Sequence, residues 1–259
     1  MVNSNETVIN QNPFPYCMTH NSIDDVVASQ QVPSPVQSQF FIESLDDRYR
    51  IHGVMYQGRV HTVDVSKQLL DNGASYIQSQ WSQMTQQEEW KLASGPLYFA
   101  VMGALYDNRE HPTQKSLVEE VRTMFADDFK KYFMMTSTRV CYAREGLDTV
   151  KHDVDYASER AERAKIIGPN GFLVENPRYG EAMQALVGIG DCKRIQPVGK
   201  WVLGTNIYLW RFVNNSSPHN VERALVLTGH NLCLGIYVDD VSSNGRARGF
   251  VARVAENSP

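Results

Sequence analysis

Residues 95–142, GPLYFAVMGALYDNREHPTQKSLVEEVRTMFADDFKKYFMMTSTRVCY, decide how the chain is read. Pro96 stands at the first position of a helix, where its missing amide would have been an orphan anyway. The run from Leu97 to Tyr106 is apolar on every side, and such a helix belongs inside a core. At about ten residues it falls well short of the ~20 a bilayer crossing takes, so the stretch predicts a buried helix, Pro96–Asn108, and not a membrane segment. Asp107, Asn108 and Arg109 end it in a polar turn.

The second half of the stretch predicts a helix over Thr113–Met134. Leu117, Val121, Phe125, Phe129 and Phe133 recur every fourth residue, widened by Val118, Met124 and Tyr132. Glu119, Glu120, Arg122, Asp127, Lys130 and Lys131 occupy the other face. Burying the three phenylalanines contributes roughly 1.5–3 kcal/mol each before entropy is subtracted, so this row reads as the core seam. Thr138–Tyr142 then reads as a strand.

Outward from this stretch, composition sets limits. The 259 residues suffice for one large domain or two small ones. A formal charge of -4 provides no basic field to recruit nucleic acid. Cys17, Cys141, Cys192 and Cys233 stand far apart, with no C-x-x-C pair and no histidine at zinc-ligand spacing. The first residues lack the basic and apolar regions of a secretory signal, so reduced thiols in the cytoplasm are expected.

In order, residues 1–39 are rich in Asn, Gln, Ser and Pro and read as a flexible polar arm, with Phe14, Tyr16 and Met18 as anchors if it docks on a partner. Residues 40–167 read as mainly helical after an initial hairpin that turns at Gln57-Gly58. Helices are expected over Ser66–Trp81 and through Trp90 and Leu92. Gly168-Pro169-Asn170-Gly171 is a strong turn signal and the expected internal boundary. Beyond it, residues 168–259 read as a β-rich module. A short helix at Tyr179–Val187 precedes a hairpin that joins Trp201–Leu203 to Ile207–Val213, and strands follow at Arg223–Thr228, Leu232–Val238 and Phe250–Val254. The fold class expected is therefore α+β, a helical N-terminal half packed with an antiparallel β-rich C-terminal module.

Candidate chemistry is sparse. His152-Asp153-Val154-Asp155 is the densest group of metal-capable side chains, with both aspartates on one face if the segment is extended. Gly188–Lys193 resembles a phosphate loop but lacks the third glycine of the dinucleotide fingerprint and the lysine-serine of a Walker A. No G-x-S-x-G occurs, no cysteine carries a local catalytic signature, and His230 in a turn has no partners to make a triad. Trp210 lies in an aromatic-rich segment with Tyr208, and Asp239, Asp240, Asn244, Arg246 and Arg248 fall in or beside polar turns.

The ending Asn244–Val254, a loop and then a Gly-Phe-x-x-Arg strand after a Trp-containing region, resembles the close of the C-type-lectin-like fold. That fold occurs in formylglycine-generating-enzyme relatives and ligand-binding variable proteins. The resemblance covers about the last 30 residues and implies a binding surface built of loops, including 239–248, on a small sheet. The copper-binding cysteine pair of those enzymes has no counterpart, since only Cys233 lies near.

The reading that follows is a soluble, non-catalytic binding protein. Its surface would comprise Asp239, Asp240, Asn244, Arg246, Arg248 and Trp210. The alternatives are a metal-assisted hydrolase or transferase using His152, Asp153 and Asp155, and a structural subunit of a larger assembly. No cofactor is indicated. A protein or a small polar ligand is the partner expected, nucleic acid and membrane are not, and the N-terminal arm offers a route to oligomerisation.

Overall fold

The computed structural model describes residues 40–85, 88–143, 145–152, 161–168, 170–173, 179–211, 221–229, 233–238 and 244–255. All belong to one compact unit, Gln37–Pro259. The N-terminal arm, Asp153, Asp155, His230, Asp239 and Asp240 lie outside the described residues.

The chain starts with strands β1 (Phe41–Ser44), β2 (Arg48–Tyr56) and β3 (Arg59–Leu69). Gln57 and Gly58 turn β2 into β3 with φ of +51° and +74°. Two consecutive positive values match the right-handed twist of the flanking strands. Where a helix is expected over Ser66–Trp81, β3 instead runs on to Leu69, and a 3₁₀ turn at Leu70–Gly73 follows. Only then does α1 (Gln78–Thr85) form. The β-branched Val60, Thr62, Val63 and Val65 favour the strand, and the burial of Val63 and Val65 fixes which face turns inward. Trp90 and Leu92 lead not into a helix but into a two-residue strand, β4 (Lys91–Leu92).

Helices α2 (Gly95–Asp107) and α3 (Lys115–Lys131) and strand β5 (Met134–Tyr142) follow. Ser94 caps α2, its hydroxyl accepting from the Leu97 amide at 3.2 Å. In α3, Val121, Phe125 and Phe129 are buried as the four-residue spacing predicts, Leu117 is half-buried, and Val118 beside the row is buried too. Phe133 is not: the helix stops at Lys131, and Phe133 is 40% exposed. Phe125 and Phe129 stack on each other and surround the Tyr98 ring together with Phe250.

The remaining elements are β6 (Asp148–His152), β7 (Ala161–Ala164), β8 (Gly171–Phe172), α4 (Gly180–Val187), α5 (Cys192–Leu203), β9 (Ile207–Trp210), β10 (Val221–Thr228), β11 (Leu234–Tyr237) and β12 (Arg248–Val254). The expected hairpin at Gly204 is absent. Trp201–Leu203 is the last turn of α5, and Gly204 ends that helix with φ +75°. Pro197 within α5 hides the helix from pattern reading, because proline ordinarily ends one. The phosphate-loop-like Gly188–Lys193 joins two helices. Gly188 closes α4 with φ +73°, and the Asp191 carboxylate caps α5 by accepting from the Lys193 amide at 2.9 Å.

These strands make two sheets, ordered β1-β2-β3-β12-β4 and β7-β6-β5-β10-β11-β9-β8. That overturns the expected segregation of a helical first half from a β-rich second. Residues 41–69 are mostly strand, β12 near the C-terminus pairs with β3, and β10 pairs with β5. Nor is the second sheet wholly antiparallel, since β11 and β9 run parallel. The fold is mixed α/β. Local periodicity reports which residues form a strand but not which distant strand completes its hydrogen bonds, and here the partners lie far apart in sequence. The apolar α2 holds the centre, touching β2, β5, α3, α4 and α5. Among the described residues no helix is long and apolar enough to cross a membrane.

Candidate functional site

Helix α2 is buried on nearly every side, through Leu97, Tyr98, Phe99, Val101, Met102 and Leu105. Its remaining strip carries Ala100, Gly103 and Ala104, at spacings of three and four that place them on one face. Because these side chains are small, the strip forms the floor of a cleft of about 660 Å³. Gly53 and Met55–Gly58 near the hairpin tip, Val187–Ile189 at the end of α4, and Arg194, Pro197 and Val198 of α5 form its walls, and His152 and Glu162 join them from the second sheet.

Local backbone geometry sets each wall. Pairing of β2 with β3 shifts register between Ile51 and Val54, where Gly53 adopts φ +76°. This bulge re-aims the strand so that Met55 stands 60% exposed at the rim while Tyr56 points inward. The Tyr56 hydroxyl lies 3.2 Å from Ser94 Oγ and accepts from Gln57 Nε2 at 3.1 Å. Opposite, the left-handed Gly188 lets α4 close onto α2, since a Cβ there would stand 3.1 Å from Pro96 Cβ.

His152, 5% exposed, lies on the inward face of β6. Its Nδ1 is 2.8 Å from Thr138 Oγ1, which accepts from the Gly95 amide at 2.9 Å. The amides at the start of α2 are thereby all satisfied. Gly95 donates to Thr138, Leu97 to the Ser94 hydroxyl, and Tyr98 to the Ser94 carbonyl, while Pro96 has none to give. This helix end has no free donor for an anion. Arg194, in the first turn of α5, is exposed, and its guanidinium makes no ion pair or side-chain hydrogen bond among the described residues.

Of the six residues read as a binding surface, Asp239 and Asp240 lie outside the described residues, and the other four are placed as follows. Arg248 is 4% exposed and is bonded inside the core to Asp128 and to the Ser66 carbonyl. Arg246 lays its guanidinium 3.9 Å from the centre of the Tyr132 ring, and Asn244 is exposed beside it in the chain. Trp210 belongs to a row of rings on the outer face of the second sheet. It stacks on Tyr237 at 5.3 Å, meets Tyr208 at 4.7 Å, and the row continues to Phe172 and Phe133. Tyr237, the cross-strand partner of Trp210, stacks on one face of its ring, as in a row that stabilises a sheet. Of the expected metal ligands only His152 is described, and no group of three or more metal-capable side chains occurs among the described residues.

Sequence reading singled out His152 for a different task and missed Tyr56, Gly103 and Arg194. The one signal for the cleft was the succession of Ala100, Gly103 and Ala104 within an otherwise bulky helix. Comparison with protein-family models, curated proteins and solved structures found no match.

Proposed function

We propose that the chain is a non-catalytic binding protein that holds a small organic ligand in the cleft over α2. The observation that carries this reading is the floor. Gly103 has nothing within 4 Å of where its Cβ would be, in a helix whose other faces are packed solid. An interior glycine in a helix costs about 1 kcal/mol relative to alanine, a cost that cleft volume explains and packing does not. The walls combine apolar side chains (Phe99, Val187, Val198) with a few polar groups (Tyr56, His152, Arg194), the mixture typical of small-molecule sites. A soluble, cytoplasmic setting fits Cys141, Cys192 and Cys233, none of which is in a disulfide.

Thermal unfolding against a library of small organic compounds tests this reading, because a ligand of the native state raises the midpoint. Compounds that stabilise the wild type are expected to lose their effect on Gly103→Leu, whose side chain enters the cleft. Equal shifts in both proteins, or none in either, would remove the proposal's support.

A further inference from the structure

The form of the cleft and its charges narrow the class of ligand, an inference that rests on the binding role just proposed. Along α2 the strip of Ala100, Gly103 and Ala104 rises no higher than a methyl group, and Met55, Ile189 and Pro197 bound it with apolar surface. A flat ring lies against such a strip with full contact, whereas a branched body meets it at a few points.

The charged and titratable groups around the strip differ in how they are engaged. Tyr56 is bonded to Ser94 and Gln57, and His152 to Thr138. Glu162, on β7, has interactions of its own. Arg194 and Asp107 line the cleft without an ion pair among the described residues. Arg194 follows closely on the Gly188 turn that packs against Pro96, where α2 begins. Asp107 is the last residue of α2, about 16 Å along the axis from Pro96 at 1.5 Å per residue.

Among the described residues, the arginine cluster on the first sheet is already neutralised. Arg48, Arg50 and Arg253 converge on the buried Asp64, with Asp47 and Glu89 also on Arg48. In the depression beside Trp201, Lys115 pairs with Glu110, while Arg109 donates to the Tyr106 carbonyl at 2.7 Å and lies 4.0 Å from the centre of the Tyr106 ring. Of the described residues that line the cleft, Arg194 is the one arginine or lysine.

We propose that the cleft takes a flat, ring-containing organic acid, with its ring on the Ala100–Ala104 strip and its anionic group held by Arg194. The planar fork of a guanidinium matches a carboxylate or sulfonate and is more weakly hydrated than an ammonium, so it suits this partly apolar rim.

The test uses two fluorescent probes of similar ring size titrated into the full chain: 1-anilinonaphthalene-8-sulfonate, which is anionic, and N-phenyl-1-naphthylamine, which is neutral. The sulfonate is expected to bind the wild type and to weaken about tenfold in Arg194→Gln, the size of one charge-assisted hydrogen bond. The neutral probe is expected to bind both proteins equally. Arg194 is exposed, so its replacement leaves folding intact, and far-UV circular dichroism checks this. Binding of both probes with no effect of Arg194→Gln overturns the assignment of the acid and leaves the cleft as a neutral site. Binding of neither probe, or binding unaffected by Gly103→Leu, overturns the ligand-binding reading with it.

Discussion

Arg248 and Asp128 form a buried ion pair between β12 and α3, with Nε and Nη2 of the arginine each 2.7 Å from the same carboxylate oxygen. Arg248 Nη1 also donates to the Ser66 carbonyl at 2.6 Å on β3. One side chain near the C-terminus thus ties a strand to a helix and to a second strand from the first half of the chain. Removing either partner strands a buried charge, which typically costs 3–5 kcal/mol. Arg248→Ala and Asp128→Ala should each lower the unfolding free energy obtained from urea titration by that amount. Retention of wild-type stability in either variant would show the pair to be dispensable.

This pair also marks the limit of what could be read in advance. The apolar body of α2, the four-residue row of α3, the Gln57-Gly58 turn and the Gly188 end of α4 were all legible, because each depends on neighbours within a few residues. Arg248 beside Phe250 looked like a surface cluster, since its partner Asp128 lies 120 residues away. The cleft was hidden for the same reason. Its walls are drawn from residues between Gly53 and Val198, and only the assembled fold places them around Gly103.

Asp64 supplies a pH dependence. Burial alone would raise its carboxyl, but hydrogen bonds from Arg50, Arg253 and Arg48 outweigh that and hold it at about 2, below its ordinary value of 3.8. A carboxylate with a depressed folded-state value stabilises above the unfolded value and loses that contribution as pH falls through the folded one. Stability should therefore decline between about pH 4 and pH 2 more steeply in the wild type than in Asp64→Asn, which should lose about 2 kcal/mol at pH 7. Parallel pH profiles for the two proteins would contradict this.

Tyr98 carries a liability. Its ring is fully buried among Phe125, Phe129 and Phe250, and its hydroxyl has no hydrogen-bond partner among the described residues. An unpaired buried hydroxyl costs about 1–3 kcal/mol, so Tyr98→Phe should leave the melting temperature unchanged or raise it. A clear fall would reveal a partner for the hydroxyl.

Glycines of α2 should separate floor from contact. Gly103→Ala meets open space and removes the cost of an interior glycine, so it should stabilise by up to about 1 kcal/mol. Gly95→Ala should destabilise, since its methyl group would collide with the Leu186 carbonyl of α4. Calorimetric melting of both variants checks the opposite signs.

The central claim is that ligand sits over α2, and amide chemical shifts during titration with 1-anilinonaphthalene-8-sulfonate test it most directly. The account predicts perturbations concentrated at Gly53–Gly58, Ala100–Asn108 and Gly188–Val198. Perturbations centred instead on Tyr208, Trp210 and Tyr237, or none during saturation, would contradict it.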